Sequence, residues 1–442
     1  MLISRFLSKQ MRWQIFFSVE HGEDVMTLNI SKSAKGAGIE TREQPAYWSG
    51  VFAMTLCVFA LIASEFMPVS LLSPIATDLK VSEGWVGYGI AISGAFAVLT
   101  SLSISSLAGS MNRKNLLLLL TGLMCISGLI VGLAPNYVIY MIGRALIGVV
   151  IGGFWSMSVA VAMRLVPAHS VPKAMAIFNG GNALATVVAA PLGSYLGGIM
   201  GWRGAFLCLV PVGLIALAWQ WLSLPNMQTE QRKAGSGYVF RLFKSRLVTL
   251  GMLGVGAFFM GQFALYTYLR PFLETVTRVD VTRLSLVLLV IGIAGFVGTT
   301  LIGTFLKMGM YRTLAVIPVL MACIALALIA FGGSVAAAFV LLGLWGLVAT
   351  AAPVGWWSWL AKSLPDDAES GGGLMVAVVQ LSIALGSTTG GMLFDTVGYR
   401  STFALSAIIL LIAAGLTWLT FLTSRSGSTD HNEIAQTGAV TQ

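Results

Sequence analysis

Between residues 48 and 422 the chain is divided into twelve apolar stretches of roughly 20 residues, with charge confined almost entirely to their ends and the short segments between them. A helix at the surface of a water-soluble domain buries one stripe and keeps a polar face. Stretches this long and this uniformly apolar have no such face and read as membrane spans. We place them near 48–70, 85–108, 115–134, 137–161, 172–198, 203–223, 247–269, 282–306, 313–332, 335–360, 371–395 and 401–422. Of 26 Lys and Arg only Arg144 lies deep inside a stretch, and of 17 Asp and Glu only Glu65 does. A bilayer imposes that confinement, because an isolated charge in hydrocarbon is costly. With 57% hydrophobic and 10% charged residues, the 442-residue chain has too little polar side chain to cover a water-facing surface. The expected class is an all-α membrane protein embedded in a lipid bilayer.

A formal charge of +9 invites a nucleic-acid reading, but the basic residues sit in short segments between apolar runs and form no continuous patch. Nucleic acid is therefore not an expected partner. Threading the spans in order puts nineteen Lys and Arg on the side of the two termini and the even-numbered loops, and six on the other side. By the positive-inside rule both termini are expected in the cytoplasm, with the chain in a bacterial inner membrane. Residues 1–46 read as a cytoplasmic tail without a signal peptide, and Met26 begins its more ordinary part, so translation is expected to start there and residues 1–25 to be untranslated. The longest internal polar break is the basic linker 225–246, which contains Gly235-Ser236-Gly237. It divides the chain into a six-span unit at 47–224 and another at 247–423, followed by a cytoplasmic tail at 424–442. Cys57, Cys125, Cys208 and Cys323 each stand alone in an apolar run and suggest neither a metal site nor a disulfide framework.

The two six-span units carry a repeat. Gly201-Trp202-Arg203-Gly204-Ala205-Phe206 returns 197 residues later as Gly398-Tyr399-Arg400-Ser401-Thr402-Phe403, and Gly193 and Gly390 keep the same register. Basic turns recur as well, at Arg113-Lys114 and between Lys307 and Arg312. A duplicated unit of this kind predicts two pseudo-symmetric six-helix bundles around a central cavity, with the substrate site where the halves meet.

The chemistry-bearing residues are few. No nucleotide-binding Gly-rich loop is present, and His21, His169 and His431 all fall in polar segments with no metal-binding or nucleophile arrangement around them. Neither an enzyme nor a cofactor or metal is expected. Glu65 lies about nine residues from Pro74 and Arg144 about eight from Asn136, so at about 1.5 Å per residue both sit roughly 12–14 Å below the same face. In the fourth span Gly148 and Gly152 make a small i, i+4 face that Arg144 continues, suited to close helix packing. In the fifth span Gly180, Gly181, Pro191, Gly193, Gly197 and Gly198 favour close approach, with a bend where Pro191 removes a backbone donor.

These residues resemble the major facilitator superfamily over 47–423. Arg144, Gly148 and Gly152 are similar to its fourth-helix motif. Gly181, Pro191 and Gly193 resemble the fifth-helix signature of its twelve-helix drug:proton antiporter families. Where that superfamily has an acid in the loop after its second helix, this chain has Gly109 before Asn112-Arg113-Lys114. The run from Glu65 to Leu79 resembles the first helix of bacterial sugar, drug and purine-nucleoside efflux pumps, and the runs Gly152 to Ser158, Arg164 to Pro167, Gly261 to Ala264 with Tyr268 to Pro271, and Pro353 to Trp356 most resemble the bacterial purine ribonucleoside efflux pumps. The resemblance implies a proton-coupled antiporter exporting purine ribonucleosides or related small molecules, with protons and the substrate as partners and a monomer expected. A broad drug or sugar efflux antiporter of the same superfamily is the alternative. It also implies that helices 1 and 4 line the central cavity, so that Glu65 and Arg144 approach each other as the proton-coupling pair; a permanent ion pair that merely fixes two helices is the rival reading. Stacking faces for a base are expected from Trp155, Tyr266 and Trp356, with Trp357 and Trp359 as further candidates. Asn179, Asn182, Gln262 and Gln380 offer donors and acceptors. The competing structural readings are interfacial aromatics and hydrogen bonds between neighbouring helices.

Overall fold

The computed structural model describes residues 46–109, 111–167, 170–228, 242–364 and 368–439. The segment at 1–25, Met26, the Gly235-Ser236-Gly237 part of the linker and His169 lie outside the described residues. Among the described residues ten helical stretches are long and apolar enough to cross a membrane, and two of them, Lys173–Ser223 and Val281–Phe331, have 51 residues each. At about 1.5 Å per residue such a stretch is more than twice the hydrocarbon thickness, so each must fold back. Each does so at a glycine with non-helical backbone, Gly201 in the first and Gly309 in the second. The result is twelve spans.

Span 1 is Trp48–Ser70, span 2 Glu83–Ala108, span 3 Arg113–Gly132 and span 4 Tyr137–Leu165; spans 5 and 6 occupy Val171–Leu207 and Leu209–Ser223, divided at Gly201. Span 7 is Arg246–Tyr266, spans 8 and 9 share Val281–Phe331, span 10 is Val335–Ala349 continued by Ala352–Ser363, span 11 is Ala368–Thr396 and span 12 Tyr399–Ala439. Span 12 thus continues as helix beyond the apolar run that ends near 422. The starts are set by side chains that cap otherwise unpaired N–H groups. Asn112 accepts from Lys114 N at 3.0 Å for span 3, and Asp280 accepts from Arg283 N at 2.7 Å for span 8. Spans 2, 7 and 10 open on Ser82, Ser245 and Ser334.

Spans 1–6 pack around one apolar core, containing Met54, Leu117, Phe154 and Phe178, and spans 7–12 around another, containing Phe258, Phe272, Trp345 and Phe403. The repeat is visible in the contacts. Gly201 and Gly398 both turn the chain at positive φ, 76° and 98°, a conformation glycine adopts without strain. After each turn an aromatic pair recurs in the same geometry. Trp202 meets Phe206 edge-on at 6.3 Å and 86°, and Tyr399 meets Phe403 at 5.9 Å and 84°. Gly193 of span 5 lies against Met67 and Ser70 of span 1, while Gly390 of span 11 lies against Ala264 of span 7, the residue 197 positions after Met67.

We call the side that carries residues 47, 112 and 225 the linker face and the opposite one the far face. Several links between the bundles sit at the far face. The Asp395 carboxylate accepts from the Ser82 hydroxyl and, at 3.1 Å, from Gly84 N at the start of span 2. Arg270, just after span 7, donates to the Ser70 carbonyl at the end of span 1 and pairs with Glu274 at 2.8 Å. Toward the linker face, Gly180 of span 5 and Gly373 of span 11 face open space.

Candidate functional site

Span 4 meets span 2 along the small face read from its sequence. A Cβ on Gly148 would overlap the Ser93 carbonyl, and one on Gly152 the Ala97 carbonyl, so the two helix backbones touch there. One turn earlier Arg144 occupies the same seam. Its Nε donates to the Gly89 carbonyl at 3.1 Å, Nη1 to Ser64 O at 2.8 Å, and Nη2 to Glu65 O at 3.1 Å and Ser93 Oγ at 3.3 Å. The guanidinium, 1% exposed, therefore joins spans 1, 2 and 4 through backbone oxygens. Those carbonyls stabilise the buried cation without neutralising its charge.

Glu65, one residue along span 1 from Ser64, is 4% exposed. The expected approach of Glu65 and Arg144 is met at the backbone, and no ion pair joins their side chains among the described residues. The fixed ion pair of the rival reading is thus not what the structure contains. The carboxylate instead accepts from Gln380 Nε2 at 3.1 Å, across the interface from span 11. Beside this bond a small apolar cluster straddles the two bundles: Val69 and Ile90 from the first, Phe263 and Ile383 from the second, with Phe66, Phe259, Tyr266 and Val379 half-buried around it. Phe66 and Phe263 stack at 5.7 Å and 27°.

A model of the Major Facilitator Superfamily matches residues 54–387. The chain belongs to that superfamily. Among curated relatives it is 65% identical over 390 residues to the "Transcription regulatory protein OpdE" of Pseudomonas aeruginosa, covering 88% of this chain and 96% of that one. It is 40% identical over 389 residues to the purine ribonucleoside efflux pump NepI of Salmonella enteritidis, covering 88% and 97%. Among solved structures, that of a D-xylose-proton symporter superposes with a TM-score of 0.69 at 16% identity, over 85% of this chain and 98% of the other. This superfamily member is a multi-pass membrane transporter of small molecules, and its two pseudo-symmetric bundles are the superfamily's fold.

Of the other candidates, Tyr266 reaches the central cluster, meeting Phe263 edge-on at 5.9 Å. Gln262, beside it on span 7, has a buried Oε1 with no hydrogen-bond partner among the described residues. Trp155 is half-buried against the first core and meets Phe154 edge-on at 6.0 Å. Asn182 is half-buried on span 5, and the Asn179 side chain lies outside the described residues. Trp356 and Trp359 are built into the second core, against each other at 5.8 Å and against Gly254 and Gly251 of span 7, while Trp357 is exposed. An apolar groove of about 420 Å³ between spans 8 and 10, lined by Val290, Phe339, Gly343 and Leu347 among others, is built from other elements than the Glu65 site.

The fifth-span motif has two contacts. Gly181 and Gly193 admit span 1, since a Cβ would stand 2.5 Å from Thr55 O and 2.9 Å from Ser70 Oγ. Pro191 has no N–H for the Val187 carbonyl, and span 8 presses against that residue at Gly292, where an added Cβ would be 2.7 Å from Val187 Cα. The motif thus sits at an inter-bundle crossing. Arg270, read from sequence as a loop cation, is 5% exposed and joins the bundles. Phe66, Phe259 and Phe263 were not singled out by sequence, although Phe259, Phe263 and Tyr266 recur at i, i+4, i+7 on span 7, the spacing of one helix face.

Proposed function

We propose that the protein is a proton-coupled antiporter that exports purine ribonucleosides or closely related small molecules across a bacterial inner membrane, with both termini in the cytoplasm. The observation that carries this reading is Glu65, a buried titratable side chain hydrogen-bonded from one bundle to the other beside a cluster of aromatic rings. An acid in that position can exchange its proton in step with rearrangement of the bundles, and the rings offer faces on which a flat base can stack. Glu65 is the proton site and Arg144 the fixed charge beside it. Gln262, whose acceptor has no partner among the described residues, and Tyr266, with Trp155 and Asn182 further out, are the proposed cargo contacts. The efflux activity named for the Salmonella relative points the same way. With both termini inside, the linked far face makes this an inward-facing arrangement of a monomer. The divisions at 47–224, 225–246 and 247–423 are the proposed limits of the two bundles and their linker.

The regulatory name of the Pseudomonas relative is compatible with transport. An exporter that lowers the internal concentration of an inducer changes transcription without touching DNA, and the basic residues of this chain make no continuous patch for DNA contact. The decisive experiment is uptake into everted vesicles under an imposed proton gradient, comparing purine nucleosides, sugars and lipophilic cations. Nucleoside uptake that collapses with the gradient and ignores ATP is expected. Uptake that follows ATP after the gradient is dissipated overturns the proton-coupled reading, and selective uptake of sugars or cations overturns the cargo.

A further inference from the structure

We propose that Gln380 is the residue through which the second bundle registers the protonation state of Glu65, acting as a positioning residue for the acid and not as a contact for the cargo. The inference rests on the reading of Glu65 as the proton site. Arg144, the nearest charge, has its donors directed at Gly89, Ser64, Glu65 and Ser93 oxygens of spans 1 and 2. That leaves Gln380 Nε2 as the one hydrogen-bond partner of the Glu65 carboxyl among the described residues. Both side chains are buried, at 4% and 7% exposure, so water does not readily replace this bond.

The backbone of Gln380 is itself fixed at the crossing of spans 2 and 11. A Cβ on Gly94 would stand 2.8 Å from the Gln380 carbonyl oxygen and 3.1 Å from Ala384 Cβ. The residue is therefore held against the first bundle by its main chain and reaches a different helix of that bundle with its side chain. A primary amide is suited to reporting on a carboxyl group because its two ends are opposite in kind. An ionised Glu65 only accepts, and needs Nε2. A protonated Glu65 has an O–H to donate, and needs Oε1. The terminal amide torsion is broad and roughly two-fold, so the same residue serves both states in two orientations. Protonation thus turns the amide and replaces a charge-assisted bond between the bundles by a neutral one, roughly half as strong. A change of that size is expected to move the equilibrium between bundle arrangements by about tenfold.

The test needs no cargo. Spin labels at Thr77→Cys and Val397→Cys, exposed far-face positions on the two bundles, are introduced with Cys208→Ser and Cys323→Ser, and inter-label distances are measured in lipid nanodiscs at mildly acidic and mildly alkaline pH. The two distance populations should shift about tenfold with pH in the otherwise native chain and hardly at all in Gln380→Met, which keeps the length and loses both polar ends. A Gln380→Met protein with an unchanged pH response, or a native chain with none, overturns the inference. Should Gln380→Met fail to reach the membrane, Gly94→Ala displaces the same crossing and is expected to weaken the response; an unaltered one counts against the inference. In vesicles, Gln380→Met should leave the nucleoside KM within about twofold and reduce uphill transport at least tenfold, whereas a raised KM with intact coupling assigns Gln380 to the cargo. If nucleosides are not the cargo, the distance measurement still decides the role of Gln380.

Discussion

Glu65 and Phe66 on span 1 stand where Gln262 and Phe263 stand on span 7, 197 positions later. The two phenylalanines stack across the interface, while the acid has a partner in Gln380 and the amide oxygen of Gln262 has none among the described residues. The same contrast recurs elsewhere. Small residues are repeated where a neighbouring helix packs closely, as at Gly193 and Gly390, and turn glycines are repeated at 201 and 398. The intramembrane charges and the motif proline are not repeated: Gln262 stands 197 positions after Glu65, Leu341 after Arg144, and Thr388 after Pro191. Packing geometry is thus shared by the halves, whereas the buried acid proposed as the proton site belongs to the first alone. Under the proposed function, one acid on one side of a pseudo-symmetric interface would give the two bundles an asymmetric response to a single proton.

The largest effect should come from erasing that asymmetry at its centre. Glu65→Gln makes positions 65 and 262 identical, and it should insert normally and abolish proton-coupled efflux. Wild-type pumping with an unchanged pH profile would exclude this acid as the coupling site. Arg144→Met ranks next. It removes the donor of four hydrogen bonds and leaves the buried Ser64 carbonyl, which Pro68 already deprives of a helical donor, without a partner, at about 1–3 kcal/mol for a group left unsatisfied. Thermal unfolding in detergent should show a steep loss of stability, and Leu341→Met in the second bundle should show none.

Much of this organisation was legible in the sequence, and the parts that were not share a cause. Span positions follow from apolar length. The depths of Glu65 and Arg144 follow from counting residues to the nearest loop, and the seam of span 4 from the spacing of Arg144, Gly148 and Gly152, each of which meets a successive turn of span 2. Periodicity identifies a face, however, and does not identify what the face meets. Arg144 was expected beside Glu65 and lies there, but its donors reach carbonyls, because a helix backbone one residue away supplies acceptors that no sequence pattern advertises. Trp356 and Trp359 could stack on a cargo as sequence alone has it; the glycines of span 7 open slots that draw both into the second core. Arg270 lies at a span end, where long cationic side chains ordinarily reach water, and only the crossing of spans 1 and 7 explains its burial.

A smaller effect is expected from Pro191→Ala. Alanine restores the N–H that Pro191 lacks, so the Val187 carbonyl regains a helical partner at the point where span 8 presses against it at Gly292. Helix formation itself is favoured by the change, so membrane abundance should hold while export turnover falls several-fold in reconstituted vesicles. Thr388→Ala, at the equivalent place in span 11, should leave turnover unaltered. Equal turnover of Pro191→Ala and the native chain at equal abundance would remove the missing donor at position 191 from the transport cycle.

The smallest difference should appear at the far-face arginines that the repeat places in equivalent positions. Arg203 lies over the Trp202 ring at 4.3 Å, pairs with Asp78 at 2.5 Å and donates from Nε and Nη2 to the Ala134 carbonyl at 3.1 and 2.7 Å. It thereby joins the start of span 6 to the short helix Leu72–Leu79 that follows span 1 and to the end of span 3. Arg400 has the Tyr399 ring at 6.0 Å and a weak bond to its own neighbour's hydroxyl at 3.4 Å, with solvent around it. An exposed ion pair contributes little by itself, about 0–1 kcal/mol, so the difference between the two must come from the carbonyl bonds and the stacked ring at position 203. Arg203→Ala should lower the apparent Tm by a few degrees, mostly independent of salt, whereas Arg400→Ala should be indistinguishable from the native chain. If added salt removes the Arg203→Ala deficit, the Asp78 pair and not the carbonyl anchor holds that corner; equal deficits in the two variants would mean that the repeat shares this contact as well.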